Sequence, residues 1–442
     1  MSGYKYMVPS DRLASNKVEE ARFRALVQSI LLSRTPLEEN RANFDAYYTW
    51  FAFPMMTQVS TEALQLLPER RNKFLRTELE VCSDARVHAH LVSLTLDQMS
   101  RVVQDNFHPA VRYNAMLLIS CLNDQEVVRN GSERRLPEPM SRALPFILDQ
   151  FRKPENSDAI KVAALIGLSR HLEWDPHRLD PATAIPAGLR TEIVNELLAL
   201  AQMKDPPEGR DSEGQLWFRR RAIEALGFAC FAKSDPGVAA AMDKLLTDES
   251  EPVSLRLTVA AAMGRMNYQA PVKLDTLATV KQLGYLALLA CDDELNRVTK
   301  LKETETERVA RIRGEARTSS SGGGDGMDLY ASGSDAASME TPDSPGGMYS
   351  PMGMGAGGYG AGGTGSVTLQ DPKAYRFDFV RRKIRAYLYC VQLGLTGGDD
   401  FDPQRTAVIP ATAANDAKPP SRGMYAFAKP GEEKKYASEV YG

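Results

Sequence analysis

Apolar positions recur three and four residues apart along most of this chain, the spacing of amphipathic helices. Residues 17 to 33 carry Val18, Phe23, Leu26, Val27, Ile30 and Leu31 in that register. The stretch from Asn40 to Met56 is dense in aromatics (Phe44, Tyr47, Tyr48, Trp50, Phe51, Phe53) and ends at Pro54, which predicts a second helix docking an aromatic cluster. A solvent-facing aromatic groove is the alternative reading of the same residues. Helical periodicity resumes from Thr61 to Leu79 and from Ala85 to Val103.

A repeat follows. HPAVRYNAMLLISCL from His108, SDAIKVAALIGLSRHL from Ser157, LWFRRRAIEALGFACF from Leu216 and PVSLRLTVAAAMGRM from Pro252 are each an apolar helix, basic early and small late. The small residues are Ser120, Gly167, Gly227 and Gly264, preceded by Ala115, Ala163, Ala222 and Ala260; the basic residues are Arg112, Lys161, Arg219 and Arg256. Pro109 and Pro252 stand where a fixed φ suits a first helical turn. From about residue 100 to 292 this pattern resembles HEAT and armadillo-like repeats, in which small residues let helices approach and stacking buries what one hairpin cannot. The resemblance implies an all-α fold, a short α-solenoid offering one long face to another macromolecule. Spacings of about 37 to about 60 residues between the small positions, and the insert from Glu173 to Thr191, depart from a regular repeat.

The pattern divides the chain into an N-terminal helical region (1–100), the repeats with an extended helix (101–313), a Gly/Ser/Met-rich linker (314–368), a C-terminal helix (369–396) and a tail (397–442). The linker composition cannot offset the entropy of ordering, and the five prolines of the tail predict irregular chain. Asp371-Pro372 starts the C-terminal helix, which is expected to dock beside the helix at 274 to 292.

Charge adds little. Charged residues make up 25% of the chain, the formal net charge is −3, and no global field attracts nucleic acid. The five cysteines are far apart and predict neither a disulfide framework nor a redox pair; most lie in apolar helical stretches as small hydrophobes. No secretory pattern opens the chain and no apolar run approaches ~18 residues, so a cytoplasmic location is expected.

Candidate chemistry is sparse. The string GxGxxG at Gly358, Gly360 and Gly363 lies in the linker with no strand before it, so it lacks the context of a dinucleotide site. His88 and His90, two apart on a helix, point away from each other. His171, Glu173, His177, Asp175 and Asp180 in the insert are the best metal candidates, although Asp175-Pro176 and Asp180-Pro181 also read as turn chemistry. No cofactor, catalytic set or metal is expected.

Trp174 and Trp217, with the basic runs Arg219, Arg220, Arg221 and Arg381, Arg382, Lys383, Arg385, are the candidate interaction surface. The sequence therefore predicts a non-enzymatic protein-interaction module whose partner it does not name. The alternative is a nucleic-acid-binding or DNA-glycosylase-like protein of HEAT type, motivated by the two basic runs. A metal-dependent enzyme on the histidine loop is the third reading.

Overall fold

The computed structural model describes residues 3–130, 133–230, 235–268, 274–319, 372–397 and 422–427. Most of the expected linker and tail lies outside these residues. The described chain is mostly helical, and no helix in it is long and apolar enough to cross a membrane.

Two compact units are present. The first, residues 1–241 with 269–272, opens with an extended segment at 3–10 and continues with α1 (Asp11–Ser15), α2 (Lys17–Leu31) and α3 (Leu37–Tyr47). A π-helical turn, Tyr48–Ala52, links α3 to α4 (Phe53–Met55). Next come α5 (Thr61–Gln65) and α6 (Leu67–Phe74), the latter passing into a second π-helical turn at Leu75–Leu79. The starts follow local chemistry: Asn16 Oδ1 accepts the Val18 and Glu19 N–H groups, Ser60 Oγ that of Ala63, and Asp84 Oδ1 that of Arg86.

The remainder of this unit is made of helical hairpins. α7 (Ala85–Gln104) packs on α8 (Pro109–Cys121), α9 (Leu144–Arg152) on α10 (Asp158–Trp174), and α11 (Ala187–Gln202) on α12 (Ser212–Ala229). The second helices also contact one another in order, α8 on α10 and α10 on α12. Small residues set the close approach, since a Cβ on Gly167 of α10 would stand 2.5 Å from the Ser120 Oγ of α8. Ser120 Oγ in turn donates to Ala163 O at 3.0 Å.

Between α8 and α9 lie two short antiparallel pairs that the sequence reading did not anticipate: β1 (Asn123–Gln125) with β4 (Glu138–Pro139), and β2 (Val128–Asn130) with β3 (Glu133–Arg135). At two or three residues each they are too short to give an alternating hydrophobic signal.

The boundary of the units falls within α13 (Pro236–Thr247). The second unit, residues 242–268 and 273–442, contains α14 (Val253–Arg265), α15 (Thr276–Ser319) and α16 (Pro372–Thr396). α14 is buried without interruption from Leu255 to Gly264, and α16 packs on both α14 and α15. A Cβ on Gly264 would lie 2.1 Å from Leu393 O, so only glycine permits that crossing. Glu294 of α15, fully buried, is held by Lys383 of α16 at 2.8 Å and by Arg297. α15 extends through Ser319, past the expected start of the linker.

Residues 422–427 close onto this unit: Asn267 bridges Arg422, Tyr268 meets the Phe427 ring at 4.9 Å, and Met424 is buried. Gly397 and Gly423, both at positive φ, touch where a side chain on either has no room.

Candidate functional site

Three of the four early basic residues have a common fate. Arg112 Nε donates to Val103 O at 2.8 Å, Arg219 Nε to Ala201 O at 2.9 Å, and Arg256 Nε to Leu246 O at 2.9 Å. Each acceptor is the penultimate residue of the preceding helix, in α7, α11 and α13 respectively. Carbonyls in a last helical turn lack an intrahelical donor, so the guanidinium satisfies one while tying the two helices into a hairpin. The α9–α10 hairpin uses Asn156 instead, whose Nδ2 donates to Gln150 O at 2.8 Å, and Arg112 Nη2 reaches Asn156 Oδ1 at 3.2 Å. The sequence carried a sharper signal for this clamp than early-basic, late-small: each of the three arginines stands eight positions before its small residue (Ser120, Gly227, Gly264), whereas Lys161 does not.

The clamp disposes of one candidate surface residue. Arg219 is 5% exposed and Arg256 2%, so neither reaches a ligand. The Arg219, Arg220, Arg221 run is consequently not a basic patch: Arg221 pairs with Glu224 at 2.7 Å and lies over Trp217, and Arg220 is half-buried. Trp217 is half-buried against Phe218, whose ring carries Arg210, itself paired with Asp158. By contrast Arg381, Arg382 and Arg385 of α16 are exposed.

Trp174 is half-buried at the end of α10 and packs edge-on to His177. The insert that follows is stapled inward. Asp175 accepts from Ile185 N at 2.8 Å and pairs with Arg190 and Arg178; Arg178 Nη2 donates to Pro139 O at 2.7 Å, and Leu179 N to Glu138 Oε1 at 3.2 Å. Asp180 Oδ1 caps Ala182 N. His171 is fully buried between Gly167 O (2.8 Å from Nδ1) and Met140 O (3.2 Å from Nε2). Burial, aided by Arg170, pushes its pKa down to about 4, so the ring is neutral. Among the described residues no group of three or more His, Cys, Asp or Glu is arranged to hold a metal. His88 and His90 serve different partners, Glu126 at 3.2 Å and Asp45 at 2.6 Å.

The free cysteines include buried Cys230 and half-buried Cys82, whose thiols burial pushes up to about 11, the opposite of a reactive thiolate. Burial likewise raises the Glu78 carboxyl and the Tyr48 phenol, which face each other from the two π-helical turns. Tyr48 is 0% exposed, which leaves that pair to packing rather than to substrate.

The aromatic stretch divides between both readings. Phe44, Tyr48 and Phe53 are buried and join Phe74 in one ring cluster, with centroids 5.0 to 6.0 Å apart. Trp50 is 62% exposed, since two residues after Tyr48 it points to the opposite side of the helix, while the π turn brings Phe53, five residues after Tyr48, onto the buried face. The extended segment at 3–10 runs alongside: Ser10 N donates to Trp50 O, Met7 N to Thr57 Oγ1, and Gln58 Nε2 to Met7 O. On this segment Tyr6 (54% exposed) and Val8 stand outward, and Tyr6 helps line a groove of about 550 Å³ with Met55, Gln58, Val59, Leu66 and Arg70. The exposed large apolar and aromatic side chains of the first seventy described residues are Tyr4, Tyr6, Val8, Val18, Leu32, Trp50 and Leu66.

No protein-family model matches the chain, and neither a curated protein nor a solved structure is significantly similar to it.

Proposed function

We propose that this chain is a non-catalytic protein-binding module, a short α-solenoid of HEAT type that recognises its partner through Tyr6 and the groove it lines, with Trp50 as a second exposed aromatic contact. The solenoid reading is supported by clamped hairpins whose second helices follow one another in contact, α8 to α10 to α12. The observation that carries the binding reading is exposed Tyr6 at the rim of a groove lined by Met55, Val59, Ala63 and Leu66 together with Gln58, Ser60, Glu62 and Arg70, with Trp50 a second exposed aromatic on the same unit; tyrosine and tryptophan are among the residue types that dominate binding energy at protein interfaces. The partner element that fits is an amphipathic helix or extended segment with one or two apolar anchors.

The test compares protein partners captured from native extract by the full chain and by Tyr6→Ala and Trp50→Ala chains of equal thermal stability. Loss of one defined partner from both variants supports the reading; capture unchanged in both removes it. A second reading, phosphate-backbone binding, rests on exposed Arg381, Arg382 and Arg385 alone. It requires a salt-dependent shift of DNA or RNA that Arg381→Ser/Arg382→Ser abolishes.

A further inference from the structure

α15 is apolar on two opposite faces. Val280, Leu283, Leu286 and Ala290 are buried within the second unit, as a helix packed on α14 and α16 requires. The far side carries Leu277, Tyr285, Leu288 and Leu295, and Leu288 is 66% exposed. On a helix of ~3.6 residues per turn Leu277, Leu288 and Leu295 fall within a strip of about 20°, with Tyr285 beside it. Lys281 and Asp292, both exposed, lie between these leucines and Tyr285 on the same face, and Gly284, with nothing within 4 Å of an added Cβ, leaves its other edge open. A leucine stripe left in water on a well-packed helix marks an interface.

The charges on the strip identify its occupant. Against an identical strip running antiparallel, with the two-fold axis between Leu286 and Ala287, Lys281 of each copy stands level with Asp292 of the other. Tyr285 then meets Leu288, and Leu277 meets Leu295 to within one residue's rise of ~1.5 Å. The same strip laid parallel brings Lys281 to Lys281 and Asp292 to Asp292. We infer that the exposed face of α15 binds a second copy of this chain in an antiparallel, two-fold arrangement. Such an isologous contact closes on itself and leaves no complementary edge for further growth. Four apolar side chains per copy make a small interface, so the dimer forms reversibly, with Kd on the order of 10 μM.

Sedimentation equilibrium of the full chain from about 1 to 200 μM tests this, with circular dichroism melts confirming that each variant is folded. The wild-type chain shifts from monomer to dimer across the range, and Leu288→Glu remains monomeric. Lys281→Asp and Asp292→Lys each weaken dimerisation at least tenfold, because each puts like charges opposite, and the double variant restores it by exchanging the partners. A wild-type chain that is monomeric throughout overturns the inference. So does a dimer indifferent to Leu288→Glu, or one that the double charge exchange fails to rescue; a strip covered by another segment of the chain gives the first of these results.

Discussion

Two helices, α12 and α16, each carry a short run of basic residues, and the fold uses them in opposite ways. On α12 the run is consumed by the structure: Arg219 is buried on a carbonyl of α11, and Arg221 is engaged by Glu224 and Trp217. On α16 only Lys383 turns inward, to Glu294, while Arg381, Arg382 and Arg385 face solvent. The contrast shows that a cluster of like charges in sequence is not a patch in space. A guanidinium on a long stem serves equally as the cap of a neighbouring helix, where it satisfies a carbonyl that water cannot reach. Among the groups the fold leaves outside are Trp50 and Tyr6, the residues of the proposed binding surface.

The comparison is broken hardest where α16 meets α14. Gly264→Ala places a methyl against the Leu393 backbone and should cost roughly 3 kcal/mol by forcing the helices apart, read as a lowered urea midpoint. Unchanged stability would mean that the two helices are less closely docked than the crossing implies.

A pH series probes the interior by a different route. His171 has its pKa depressed in the folded chain, to about 4, against ~6.5 unfolded. The unfolded chain therefore binds the extra proton between these values, so stability is complete above about pH 6.5 and falls progressively as pH drops toward 4. The loss approaches ~3 kcal/mol at the lower end. Urea unfolding at pH 7 and pH 5 measures it, and a His171→Gln chain should lose that part of the slope while being less stable at pH 7.

The smallest effect sharpens the arginine contrast between α12 and α16. Arg219→Lys keeps the charge but cannot reproduce the planar Nε donor, so it should cost about 1 kcal/mol; Arg382→Lys should leave the thermal midpoint unchanged.

Much of the helical architecture was legible from periodicity. Helices from Lys17, Ala85, Pro109, Asp158, Val253 and Pro372 stand where the apolar spacing placed them. The first helices of the hairpins, α9, α11 and α13, were not singled out, since they lack the early-basic, late-small signature that marks their partners. The π turns were invisible too, because one extra residue in a helical turn does not disturb a pattern averaged over several turns. What they hid is that Phe53 joins the buried rings, whereas Trp50 lies off the face of Phe44, Tyr47, Tyr48 and Phe51 by ordinary helical spacing. The histidine insert offered nitrogen and oxygen donors by composition, yet two arginines of the insert itself, Arg178 and Arg190, pair with Asp175 and turn it inward. The groove was illegible for a similar reason: it needs the extended segment at 3–10, which has no periodicity, laid against the end of α4.

The most direct test of the account is the unfolding free energy of Arg219→Ala and Arg256→Ala beside that of Arg381→Ala, all in urea at pH 7. Each buried arginine should cost about 2 kcal/mol, since its removal leaves a helix-end carbonyl unsatisfied, and Arg381→Ala should stay within about 0.5 kcal/mol of wild type. Equal, small effects for all three would contradict the clamp and with it the division between arginines that build the hairpins and arginines left to solvent.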